Sequence, residues 1–115
     1  MKAAAAEKRV RAFVRGLPEA VEGEHGHREA YRVSRKLFLV FEVDEGAVLV
    51  HVTADDRQAL ATADGFEEII HGSGRLVQEW MKVSLASVDV DHLCEVIEDG
   101  WRRYATKRAL AARDA

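Results

Sequence analysis

Between Tyr31 and Thr53 apolar residues follow the two-residue period of β-strands. Tyr31 and Val33 alternate with Arg32 and Ser34. After the polar turn Ser34-Arg35-Lys36 comes the run Leu37 to Phe41, and after Asp44-Glu45-Gly46 the run Val48 to Val52. Three strands joined by two tight turns predict an antiparallel meander. Strict alternation in the middle strand sets Leu37, Leu39, Phe41 and Val43 against Phe38, Val40 and Glu42, so both faces are apolar, as in a central strand. In the third strand Val48, Val50 and Val52 oppose Leu49, His51 and Thr53, a mixed face on which His51 reads as a partly exposed histidine.

Helical spacing governs both ends of the chain. Val10, Phe13, Val14 and Leu17 form one apolar stripe, and Pro18 ends that helix because it forces the preceding residue out of the helical region. Glu19 to Glu29 is polar, holds Gly23 and Gly26, and reads as a loop or irregular edge. Thr53-Ala54-Asp55-Asp56 is a capping pattern that opens a short helix to about Ala63, closed by Asp64-Gly65. Phe66 to His71 reads as a strand and Gly72-Ser73-Gly74-Arg75 as a hairpin connection. From Glu79 to Leu85, Met81, Val83 and Leu85 share one face, opposite Trp80, Lys82 and Ser84. One final helix starts near Asp89 or Asp91, with Leu93, Ile97, Trp101 and Tyr104 as its stripe. The elements run α-β-β-β-α-β-β-α, an α+β pattern.

Composition narrows the class. A chain of 115 residues, 48% hydrophobic, is expected to build one domain over residues 1–115. No apolar stretch reaches the roughly 20 residues that span a bilayer, and the alanines and charges at the N-terminus do not resemble a secretory signal, so a cytoplasmic protein without a membrane role is expected. Cys94 is the only cysteine, which excludes an internal disulfide and reads as a small buried residue on a helix.

The formal net charge is −3, yet the charges are unevenly spread. Basic residues gather at Lys8 to Arg15, at Arg28, Arg32, Arg35 and Lys36, and at Arg102, Arg103, Lys107, Arg108 and Arg113. From Glu42 to Glu68 eight carboxylates face only Arg57. If the basic segments meet in space, one side of the molecule can bind anions; as solvated surface charge they have no such role.

Individual candidates for chemistry are few. His25 and His27, two apart on an extended segment, would project to the same side, but the glycines around them give no rigid frame for a metal. Trp80 beside Lys82 pairs an aromatic surface with a cation, the combination that stacks bases in single-stranded nucleic acid binding. No nucleophile, base and orienting group stand together, and no cofactor loop is present, so neither an enzyme nor a cofactor is expected.

Taken in order, Leu17-Pro18, the acidic loop with His25-Gly26, Tyr31-Arg32-Val33, Lys36-Leu37-Phe38, Trp80 to Leu85, and a final helix with Trp101, Tyr104, Ala105, Lys107 and Arg108 resemble the MmcQ/YjbR family of small bacterial proteins. The resemblance implies a two-layer α+β domain, an antiparallel sheet with helices packed on it, similar to secretion-chaperone folds. It also implies DNA binding by hairpins arranged as two wings. The chain departs from the family pattern at Glu29-Ala30, Ala105-Thr106-Lys107 and His51, where the family often has a proline, Ala-Pro-Lys and a lysine.

Two functions follow as expectations. The first is phosphate contact with DNA through Arg32, Arg35 and Lys36 on one wing and Arg75 and Lys82 on the other. Arg102, Arg103, Lys107 and Arg108 would form a flanking patch, with Trp80 as a stacking surface. The second is a protein-binding adaptor, or a homodimer, that uses the sheet face or a strand edge and buries Trp80 or the face of His51.

Overall fold

In the computed structural model, which describes residues 2–115, four helices lie against a six-stranded antiparallel sheet. Helix α1 (Lys2–Arg15) is followed by β1 (Val21–His25), β2 (Arg28–Val33), β3 (Lys36–Glu42), a 3-10 turn (Val43–Glu45) and β4 (Ala47–His51). Helix α2 (Ala54–Leu60), strands β5 (Phe66–Ile70) and β6 (Leu76–Ser84), and helices α3 (Val90–Tyr104) and α4 (Lys107–Asp114) complete the chain. The strands lie side by side in the order β1-β2-β3-β4-β6-β5.

The predicted order is present with two additions. The polar segment after Pro18, expected as a loop, contains the edge strand β1, which pairs with β2 from Val21 opposite Arg32 to His25 opposite Arg28. Its side chains are exposed, so no apolar alternation marks it in the sequence. The expected single final helix is two helices. Ala105 is extended at ψ 146°, and the Thr106 hydroxyl accepts a bond from the Ala109 amide at 3.0 Å and caps a new helix.

A β-bulge corrects the predicted faces of the middle strand. Tyr31 pairs with Leu39 but Arg32 with Leu37, which leaves Phe38 as the extra residue. Phe38 therefore joins Leu39 and Phe41 in the core beneath the helices, while Leu37 moves to the opposite face with Val40. The core over the first face holds Tyr31, Val33, Val48, Val50, Met81, Val83 and Phe66, met by Val10 and Val14 of α1 and Leu93, Ile97 and Trp101 of α3. Cys94 is buried in α3.

Local chemistry fixes the connections. Both two-residue hairpin turns, Gly26-His27 and Ser34-Arg35, have left-handed backbone at each position (φ 59° and 65°, 51° and 67°), the twist that matches a right-handed strand pair. Helix α2 is capped by the Thr53 hydroxyl and α3 by the Asp89 carboxylate. Arg57, the one cation of the acidic middle, is buried: it donates to the Gln78 carbonyl at 3.0 Å and to Gln78 Oε1 at 3.1 Å and pairs with Glu68, fastening α2 to β6. Gly100 lets α3 approach β4, since a methyl group there would lie 3.2 Å from the His51 carbonyl. Among the described residues no helix is long and apolar enough to cross a membrane.

Candidate anion-contacting end of the sheet

Strand direction decides which of the predicted site residues meet. β2 ends at Val33 and β3 starts at Lys36, β4 ends at His51 opposite Trp80, and β5 ends at Ile70 opposite Leu76, where β6 begins. The turns Ser34-Arg35 and His71 to Arg75 therefore project from the same end of the sheet. The C-terminal end of α3 reaches this end too, because Arg103 binds the His51 carbonyl at 2.7 Å. Tertiary structure thus places Arg35 and Lys36 from one hairpin, Arg75 from the other, and Arg103 and Lys107 from the last two helices at this end, whereas the Arg32 guanidinium lies back over β1 at the Glu24 carbonyl.

These six share a second property. Among the described residues none is ion-paired to a carboxylate, whereas Arg9, Arg11, Arg15, Arg28, Arg57, Lys82, Arg102, Arg108 and Arg113 all are. Lys82, expected on the second wing, is bound to Glu45 instead, at the other end of the sheet. Arg102 is held by Glu98 and by Asp114 at 2.5 Å, and Arg108 by Glu19 at 3.1 Å. Arg32 donates to the Glu24 carbonyl at 3.2 Å. Exposed Arg35, Lys36, Arg75 and Lys107 have their charges turned only to solvent, and an exposed charge is what a phosphate can neutralise at little desolvation cost.

His51 is the main correction. Expected to be partly exposed, it is 8% exposed, between the Trp80 ring (centroids 5.3 Å apart, edge-on) and the Tyr104 ring (5.5 Å). Arg103 Nη2 stands 3.1 Å from Nδ1. An arginine can only donate, so Nδ1 accepts and the ring proton is on Nε2, which faces the Tyr104 hydroxyl at 3.5 Å and a Glu79 carboxylate oxygen at 3.7 Å. Burial, then the Arg103 charge, hold His51 below the ordinary histidine pKa, against the opposing pull of Glu79. Arg103 Nε is buried without a partner. The two residues therefore lock the end of α3 to the end of β4, and Arg103 is a brace more than a free cation.

The sign of the pH effect follows. Below the unfolded-state pKa, near 6.5, the unfolded chain takes up a proton at His51 before the folded chain does. Stability is expected to be level above that value and to fall as pH drops through the depressed folded pKa. Urea unfolding from about pH 7.5 to about pH 5.5 checks this, with His51→Gln beside the wild type. The slope should flatten in the variant; equal slopes would assign the loss to other groups. Loss from Glu29 and Glu98, whose pKa values are lowered by Arg11 and Arg113, begins only below the ordinary carboxylate value of 4.5.

On the helix side of the same end, a cleft of about 210 Å³ opens between α2 and α3. Asp56, Glu95 and Asp99 line it with His51, His92 and Arg103. Burial and then the surrounding carboxylates raise the Asp99 pKa, with Arg103 opposing them. Three carboxylates, set against Arg103 alone among the fixed cations, make this cleft a poor seat for an anion. No three His, Cys, Asp or Glu side chains among the described residues group as metal ligands. His27 lies in a left-handed turn and His25 at the end of β1, so the pair does not share one extended strand.

Trp80 is half-buried and belongs to the other face of the sheet. A depression of about 310 Å³ is lined there by His25, Arg28, Leu37, Val40, Leu49, Ile69, Val77 and Trp80, residues from all six strands and from no helix. No curated protein and no solved structure matches the chain. The family model YjbR matches residues 15–103, from the last residue of α1 to Arg103, and so covers the entire sheet, both hairpins and nearly all of α3. The chain belongs to the YjbR family.

Proposed function

We propose that this YjbR-family protein contacts the phosphate backbone of DNA with the β2–β3 turn at Ser34-Arg35 and the β5–β6 turn at His71 to Arg75. The observation that carries the reading is the projection of Arg35 and Lys36 on one hairpin and Arg75 on the other from one end of the sheet, with no internal carboxylate partner. Lys107 extends the patch on the side of α4. Lys82, Arg102 and Arg108 would first have to leave Glu45, Glu98, Asp114 and Glu19, so they make no net contribution. Flexible cations on turns neutralise phosphates and position a duplex, but they do not read base edges. The reading is therefore of sequence-independent binding.

A fluorescent duplex of arbitrary sequence titrated at several salt concentrations tests it. Each phosphate neutralised contributes about 0.9 to the slope of log affinity against log salt, so the double variant Arg35→Ala/Lys36→Ala should lower the magnitude of the slope by about 1.8. Weakening should be equal on unrelated duplexes. Lys8→Ala, on the exposed side of α1, serves as the control and should leave the slope unchanged. Absence of binding at low salt, or a slope that the double variant does not move, would remove DNA contact by this hairpin.

A further inference from the structure

We propose that the recess beside the β5–β6 turn is a seat for a phosphate group, held by His71, Arg75 and Gln78. A recess of about 370 Å³ opens there, lined by these three residues with Leu76 and Val77. No carboxylate lines it, in contrast to the α2–α3 cleft and to the recess at the other end of the sheet, which contains Glu45 and Glu67. The carboxylates of the neighbouring strand residues are engaged elsewhere: Glu68 pairs with Arg57, and Glu79 faces His51 Nε2 at 3.7 Å.

Hydrogen-bond direction gives this lining a single polarity. Buried Arg57 donates to Gln78 Oε1 at 3.1 Å, and because an arginine can only donate, the amide oxygen is committed there and the Gln78 NH2 group is left free. The Gln78 backbone carbonyl is taken by Arg57 Nε at 3.0 Å, and the Arg75 carbonyl by the His71 amide at 2.7 Å. The Ser73 amide donates to His71 Nδ1 at 3.2 Å, so the neutral ring carries its proton on Nε2. Among the described residues Arg75 pairs with no carboxylate. Three side chains therefore bring free N–H donors to one recess, and their acceptors are already used. A negative group with several acceptor oxygens suits such a lining, and a tetrahedral phosphate has enough of them to meet all three. For Arg75 the proposal rests on the DNA reading. The first arm of its test contains no nucleic acid, so the two fail separately.

NMR of the full chain tests the seat, with inorganic phosphate replacing chloride at constant pH and ionic strength. Saturable shifts are expected for the Gln78 side-chain amide, the Arg75 Nε–H and the His71 ring, with a Kd on the order of millimolar. Gln78→Glu keeps an oxygen for Arg57 but replaces the free amide donor by a carboxylate oxygen, and should abolish the shifts at Arg75 and His71. Arg75→Ala and His71→Phe, both on the exposed turn, should each weaken binding about tenfold. Absence of saturable shifts overturns the proposal, and so does binding that Gln78→Glu leaves at wild-type strength. Circular dichroism confirms the fold of each variant; should Gln78→Glu unfold, the two turn variants decide, and wild-type binding in both overturns the seat. A second arm compares duplexes of one sequence with a 5′-phosphate or a 5′-hydroxyl. Equal shifts at Gln78 assign the seat to backbone phosphates, and shifts with the phosphorylated duplex alone assign it to a terminal phosphate. Binding of inorganic phosphate with no response to either duplex upholds the seat and removes the DNA reading.

Discussion

Trp101→Ala should cost about 3–5 kcal/mol, the range for deleting a large aromatic side chain from a closed core. The side chain is 0% exposed and packs within the cluster of α1, α3 and the helix-side face of the sheet. Its indole N–H donates to the Pro18 carbonyl at 2.9 Å, so it also ties α3 to the corner where α1 gives way to β1. Alanine removes the ring and leaves that carbonyl without a partner. Against a total stability of about 5–15 kcal/mol, a loss of this size brings a small domain close to unfolding at moderate temperature. Trp101→Phe separates the two contributions: it refills most of the volume but not the hydrogen bond, and should cost about 1–2 kcal/mol. Urea unfolding of the three proteins measures both. A loss below about 1 kcal/mol for the alanine variant would show that α3 does not depend on this residue.

Gly65→Ala should be the other severe substitution, at about 2–4 kcal/mol. Gly65 has φ +87°, a conformation that residues with a Cβ rarely adopt, and a methyl group there would lie 2.9 Å from both Cα and N of Val88. The Gly65 carbonyl also accepts a bond from the Ser84 amide at 2.8 Å, so the backbone cannot shift freely. Because the contact is with the backbone of Val88, the second substitution Val88→Ala should not relieve it. Rescue by Val88→Ala would place the clash on the side chain instead, and a wild-type midpoint for Gly65→Ala would mean that the turn accommodates a Cβ. Gly46, with φ +62° but open space around it, should tolerate alanine better, with only the backbone term remaining.

Much of the fold was legible because periodicity reports burial on one face. Val10 and Val14, Met81 and Val83, and Leu93, Ile97 and Trp101 were set in stripes by their spacing, and all are buried. Thr53 and Asp89 announced their helices through side chains that accept backbone N–H bonds. Three features escaped the pattern. Strand β1 is an exposed edge, and with no buried side chain it leaves no alternation to read. The bulge at Phe38 shifts the register by one residue, so alternation continued through Leu37 assigns it to the wrong face. The break at Ala105 has no glycine or proline to mark it, and the Thr106 cap was its only signal.

The candidate site was legible only as a list of cations. Sequence fixes which residues carry charge, but the pairing of charges depends on neighbours far apart along the chain. Glu45 meets Lys82, Glu19 meets Arg108, and Asp91 meets Arg9 only after the sheet and helices have packed. His51 could not be placed either, because its burial is produced by Trp80 from β6 and by Arg103 and Tyr104 from α3.

What the sequence determined alone was the local structure: the stripes, the caps, the turns and the α+β class, all set by contacts within a few residues. Tertiary structure decided which cations remain without carboxylates, that the β2–β3 and β5–β6 turns emerge at one end of the sheet, and that one sheet face has no helix over it. These are properties of chain crossing and strand order, and they arise only when segments distant in sequence share one surface.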